Sequence, residues 1–219
     1  MSIKKKIDVC LVVDHSGSLS KEGDMINDSL VAMLAEIKNT PYLHGCDVYF
    51  TLVSFDNEMT KNVDFVPLNS VSPSSLILKY DYQTNPGPAL EYVVETAYKR
   101  YYDWRNSGED AFHPLIFFFT DGSPYPVEKY MPAYKKIAER IRQLEKDKKL
   151  VIVCSGYGNA NIENLNLLTE IPERVLQMSG NRVDKLSRFF KEIIPQTITS
   201  TVTGTFDQMA DVFRFFTLS

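Results

Sequence analysis

Cysteine is scarce in this chain, with Cys10, Cys46 and Cys154 the only three in 219 residues. They show no C-x-x-C spacing, and any pairing leaves one over. That argues against a disulfide framework and predicts buried, reduced thiols in a reducing compartment. An excess of positive charge is also missing. Lys and Arg total 24 against 28 Asp and Glu, a net charge of −4, whereas a phosphate backbone demands a basic surface. No nucleic-acid partner is expected. No apolar run has the length to span a bilayer, so no membrane partner is expected either. The opening MSIKKKIDVCLVVDHSG places a basic patch before an apolar run. Asp8 and Asp14 interrupt the uncharged core that a signal peptide needs. Together these absences predict a cytoplasmic protein. Internal repeats and low-complexity linkers are lacking. So are a Walker loop and a G-x-G-x-x-G turn after a strand, which removes a nucleotide-binding reading.

What is present is enough apolar residue for a substantial core: 44% hydrophobic beside 24% charged, ordinary for a globular protein, in a length that suits one domain. Short apolar or alternating runs read as strands at IDVCLVV (7–13), CDVYFTLVSF (46–55), KNVDFVPL (61–68), PLIFFFTDG (114–122), KLVIVCSGYG (149–158) and RVLQM (174–178). Helical spacing recurs over 29–38, 89–104, 127–147, 162–171 and 183–198. Pro67 suits an edge strand, and Pro195 should kink or end the last helix. Strands apolar on both faces, alternating with helices, predict an α/β fold with a parallel sheet covered on both sides.

In such sheets ligands bind beyond the carboxyl ends of the strands. Asp14 follows the first strand in LVVDHSGSLS, and Asp121 follows the most apolar one. Ser155, Gly156 and Gly158 share that edge. Two carboxylates with hydroxyls at Ser16 and Ser18 suggest a hard divalent cation. Such ions prefer oxygen, and magnesium takes six oxygens at short distance while keeping some waters. Mg2+ is the first choice, with Ca2+ and Mn2+ as alternatives. The same residues also fit simpler readings. Asp14, Ser16 and Ser18 fit a turn with a helix cap, Thr84 fits a cap, and Asp121-Gly122 fits a plain turn.

The stretches DHSGS (14–18), TNPGPAL (84–90) and TDG (120–122) resemble the metal-ion-dependent adhesion site of von Willebrand factor type A (VWA) domains. That motif is Asp-x-Ser-x-Ser, a distant threonine and a distant aspartate, matched by Asp14, Ser16, Ser18, Thr84 and Asp121. Thr84, Gly87, Ala89 and Leu90 repeat the family's T-x-x-G-x-A-L run. The resemblance implies a Rossmann-like three-layer α/β fold. Its central sheet would have about six mostly parallel strands and one antiparallel edge strand, with helices on both faces. It implies a VWA domain over 7–198 and an extension over 199–219, expected to be helical and packed on the domain. It also implies that those five residues bind metal, with hydroxyls next to the ion and carboxylates largely behind water. Such a cation keeps its charge and attracts a Glu or Asp from a protein partner. The implied protein is an interaction module and not an enzyme.

Within the family, WRNSGEDAFHPLIFFFTDGSP is closest in style to bacterial VWA proteins of tellurium-resistance clusters, through Trp104, Asp121, Gly122 and Pro124. That likeness implies tellurium-resistance or stress-response phospho-signalling, with a kinase or phosphatase of the same gene cluster as partner. Movement of the last helix, from Val183 onward, is a further implication. The alternative is a magnesium-dependent phosphohydrolase, because haloacid-dehalogenase-type phosphatases place a nucleophilic Asp after the first strand. That family wants Asp-x-Asp, and Ser16 in the second position leaves no general acid.

Other residues receive plainer readings. His15 is expected at the surface beside the site, and His44 and His113 at the opposite edge of the sheet. Cys154 is expected as a core thiol. The Lys-rich stretch 135–149 reads as a solvated helix face. In TFDQMADVFRFFTLS (205–219), Phe206, Met209, Phe213 and Phe216 follow helical spacing. They fit a helix packed on the domain or a docking surface.

Overall fold

A computed structural model describes residues 4–80, 83–158, 160–178, 182–205 and 209. Strand β1 (Lys5–Asp14) is buried on both faces. Ile7, Val9, Leu11 and Val13 enter one apolar cluster, while Cys10 and Val12 enter the other. A strand so covered needs a neighbour on each edge to satisfy its backbone groups. β1 pairs in parallel with β2 (Cys46–Phe55) on one side and with β4 (Leu115–Thr120) on the other. β5 (Val151–Tyr157) and β6 (Val175–Met178) continue the parallel sheet. β3 (Met59–Pro67) closes the far edge antiparallel to β2. The order is β3-β2-β1-β4-β5-β6, which is the mostly parallel sheet with one antiparallel edge strand that the family resemblance implies.

Helices cover both faces. Helix α1 (Gly23–Asn39) and the last helical stretch pack on the face of Leu11 and Val13. Helices α2 (Pro86–Asn106), α3 (Val127–Lys146) and α4 (Ile162–Asn166) pack on the face of Cys10 and Val12. All six residues of β4, LIFFFT, are buried, and each such large side chain contributes about 1.5–3 kcal/mol by leaving water. No described helix is long and apolar enough to cross a membrane.

Two helices depart from the sequence reading. α4 stops at Asn166 rather than 171, because the residues beyond it bind elsewhere. The Thr169 hydroxyl and the Glu170 N–H both donate to Glu145 Oε2, at 2.6 and 3.3 Å. The last helix does not end at Pro195. α5 (Arg182–Arg188) passes into a wide π-turn at Phe189–Ile193, and α6 (Ile194–Thr203) follows. The wide turn resets the ladder so that Pro195 falls in the first turn of α6, where its missing N–H costs nothing. α6 thereby runs past position 198. Met209 is buried in the apolar cluster beneath α1; the rest of the helix expected from Phe206 to Ser219 lies outside the described residues.

Candidate metal centre

Sheet register builds the site. Val13 pairs with Phe119, so the next residues along, Asp14 and Thr120, lie side by side at the ends of β1 and β4. The Thr120 hydroxyl donates to Asp14 Oδ2 at 2.5 Å. Strand order reverses across this same pair, since the chain leaves β1 for β2 on one side and returns to β4 on the other. Crevices beyond such switch points are where α/β sheets bind ligands.

Beyond β1 the chain curls back. The Ser16 N–H donates to Asp14 Oδ1 at 2.8 Å. That turn places Ser16 Oγ 3.1 Å from Ser18 Oγ, and the Ser18 hydroxyl donates to Asp121 Oδ1 at 3.0 Å. Thr84 arrives just before α2. The Tyr125 N–H donates to its carbonyl at 2.9 Å, and a β-carbon on Gly122 would lie 3.8 Å from its Oγ1. Thus the structure links Asp14, Ser16, Ser18 and Asp121 in one hydrogen-bonded run and sets Thr84 beside it.

The donor set fits a small divalent cation. With metal–oxygen distances near 2.1 Å, adjacent corners of an octahedron lie about 3.0 Å apart. The oxygens of Ser16, Ser18 and Asp121 already stand at 3.1 and 3.0 Å. Asp14 and Ser16 are buried and Ser18 is exposed, so the run leads from the core to solvent. It opens into a cavity of about 570 Å³ lined by Ser18, Thr84 and Asp121 together with Glu22, Tyr125 and Val127. Burial pushes the Asp14 carboxyl up to about 7; the Thr120 hydrogen bond pulls it down, and the Asp121 charge pushes it up again. Asp121 is also raised, chiefly by burial, against the Ser18 hydrogen bond. A cation held near these carboxylates would offset both penalties.

One expected placement is corrected. His15 is buried, not a surface residue, and its Nε2 lies 3.4 Å from Asp56 Oδ2. The cause is its backbone, because the His15 N–H donates to the Phe55 carbonyl and prolongs the β1–β2 ladder by one residue. Sequence reasoning also left Thr120 without a role, although TDG was in view. Only the pairing of Val13 with Phe119 reveals that its hydroxyl meets Asp14. Trp104 lies at the far end of α2, roughly 30 Å along the helix from Thr84, in tilted contact with Tyr49 and beneath the Arg100 guanidinium. It adds nothing to this centre.

Comparison with known proteins speaks for the fold and the family. The family model for the von Willebrand factor type A domain matches residues 8–192. No curated protein matches the chain. Among solved structures, the pilus adhesin SpaC from Lactobacillus rhamnosus GG, in an open conformation, is similar with a TM-score of 0.69 and 15% identity. It is matched over 92% of this chain and 31% of its own. Proximal thread matrix protein 1 from the mussel byssus, with a zinc-occupied MIDAS (the adhesion-site motif), gives 0.61 at 16% identity, over 89% of this chain and 46% of its own. A von Willebrand factor type A structure from Catenulispora acidiphila gives 0.61 at 13%, over 89% and 43%. The chain spans less than half the length of each of these three. At such identities the likeness speaks for the fold, while the family model spans most of the chain: this protein belongs to the von Willebrand factor type A domain family.

Proposed function

We propose that the chain is a metal-dependent protein-interaction module. Ser16, Ser18 and Thr84, with Asp14 and Asp121, hold a divalent cation, Mg2+ in the first place. A Glu or Asp side chain of a partner protein completes the site. The observation that carries this reading is the hydrogen-bonded run of oxygens from Ser16 through Ser18 to Asp121, open to solvent at one end. When bound, the cation supplies positive charge that three neutral hydroxyls leave uncancelled. The zinc-occupied motif of the mussel protein supports a divalent cation at this position.

Binding fits the geometry better than turnover. A phosphatase-type nucleophile must present a carboxylate oxygen to substrate. Asp14 is fully buried, and its two oxygens already accept from Ser16 and Thr120. Trp104, Gly122 and Pro124 support a narrower proposal, that the module serves tellurium-resistance or stress-response phospho-signalling in a bacterial cytoplasm. A kinase or phosphatase of its gene cluster would then be a partner. Affinity capture in Mg2+, followed by elution with a chelator, tests the reading. Partners should release on chelation, and Asp121→Ala should retain none. Partners that survive chelation and still bind the variant would overturn it.

A further inference from the structure

The rim of the metal centre is not uniform. Among the described residues five large hydrophobic side chains are exposed, and two of them, Tyr125 at 64% and Val127 at 46%, stand on this one lip. Exposed apolar groups that gather at a site, rather than scatter, mark a contact surface. Glu22 also lines the opening, and the Tyr157 hydroxyl donates to its Oε1 at 3.4 Å. The rim therefore carries both apolar and anionic groups.

The apolar side is held in place. The Gly122 N–H donates to Thr120 Oγ1 at 3.1 Å, and Asn164 Nδ2 donates to Ser123 Oγ at 2.9 Å. The Tyr125 N–H donates to the Thr84 carbonyl at 2.9 Å. The loop that carries Asp121 is therefore tied to β4, to α4 and to the threonine of the centre. The Tyr125 backbone is thus pinned beside Thr84, so little backbone ordering remains for a partner to meet.

Resting on the metal-dependent reading above, we infer that this site selects a partner segment in which the metal-binding carboxylate is directly flanked by a large apolar side chain. That side chain lies against Tyr125 and Val127. A second acidic residue beside the first is disfavoured by Glu22. The carboxylate supplies the charge the cation lacks, and the apolar neighbour covers surface that otherwise faces water.

Two symmetric peptides test this without assuming a chain direction: acetyl-Gly-Leu-Glu-Leu-Gly-amide and acetyl-Gly-Ser-Glu-Ser-Gly-amide, titrated into the full chain in Mg2+ and followed by NMR. The Leu peptide should bind about tenfold tighter, as expected for partial burial of one Leu side chain. The double variant Tyr125→Ser, Val127→Ser should erase that preference. Tyr102→Ser, which removes another exposed tyrosine, should keep it. Equal affinity for the two peptides, or a preference that survives the double variant, overturns the inference. A Mg2+ titration of the wild-type chain without peptide separates the two levels. Magnesium binding with no Leu preference removes only this inference, whereas no magnesium binding removes the metal reading as well and this inference with it.

Discussion

Strand β1 buries an aspartate at each end on the same face, and the two are solved differently. Asp8, at the amino end, meets Arg100 of α2, whose Nε and Nη2 donate to its two oxygens at 3.0 and 3.2 Å. The guanidinium is itself enclosed by Tyr49, Phe65 and Trp104, with ring centroids 4.7–4.9 Å away. Asp14, at the carboxyl end, accepts from the Ser16 amide and the Thr120 hydroxyl. One buried carboxylate has its counter-charge built into the chain. The other is hydrogen-bonded, has no ion-pair partner among the described residues, and lies beside an opening to solvent. A protein that needed only stability had the Asp8 solution at hand. The Asp14 arrangement leaves room for a cation and, through it, for a partner.

The contrast is sharpest in metal affinity. Asp14→Ala should weaken Mg2+ binding by about 100-fold or more, because it removes the group that organises Ser16 and Thr120. Calorimetric titration measures this, and Asp8→Asn should leave the same titration unchanged. Next in size is stability at the other end. Arg100→Ala strips the partner from a buried charge and should cost about 3–5 kcal/mol in urea denaturation.

Burial raises the carboxyl at both ends, and Asp8, away from the candidate metal centre, gives the cleaner test of proton linkage. Burial raises the Asp8 carboxyl from 3.8 to about 6, against the opposing pull of Arg100. The folded chain therefore holds that proton more tightly than the unfolded chain does. The stabilisation this brings is complete below about pH 4 and disappears as pH rises through about 6, a change of roughly 3 kcal/mol. Stability measured from pH 4 to 7 should fall more steeply in wild type than in Asp8→Asn. The smallest effect concerns support of the site. Thr120→Val keeps the shape but loses the hydroxyl on Asp14 and should weaken Mg2+ by about tenfold. An unchanged affinity would show that register alone positions Asp14.

Much of this was legible in the chain. The strand 46–55 is found as expected, and the others agree to within a few residues, because apolar, β-branched runs have few other ways to bury both faces. That Asp14, Ser16, Ser18, Thr84 and Asp121 would gather at one sheet edge was legible through the spacing of their motif. The short α4 was not, since its end depends on a hydrogen bond to Glu145, distant in sequence. His15 was misplaced because a polar residue in a motif reads as exposed, whereas the ladder carries it inside. Asp8 was read only as a charge that spoils a signal peptide; its partner Arg100 is 92 residues away.

Sequence by itself determined the elements, the sheet class and the identity of the oxygen-bearing residues. These follow from local patterning, in which side-chain period and strand-end position repeat within a few residues. Tertiary structure decided everything that needs two distant segments to meet. It joined Thr120 to Asp14 through strand register, closed Asp8 with Arg100, turned His15 inward and raised Tyr125 and Val127 on the lip of the site. Burial and proximity are properties of packed neighbours, and no local pattern encodes which neighbour will arrive.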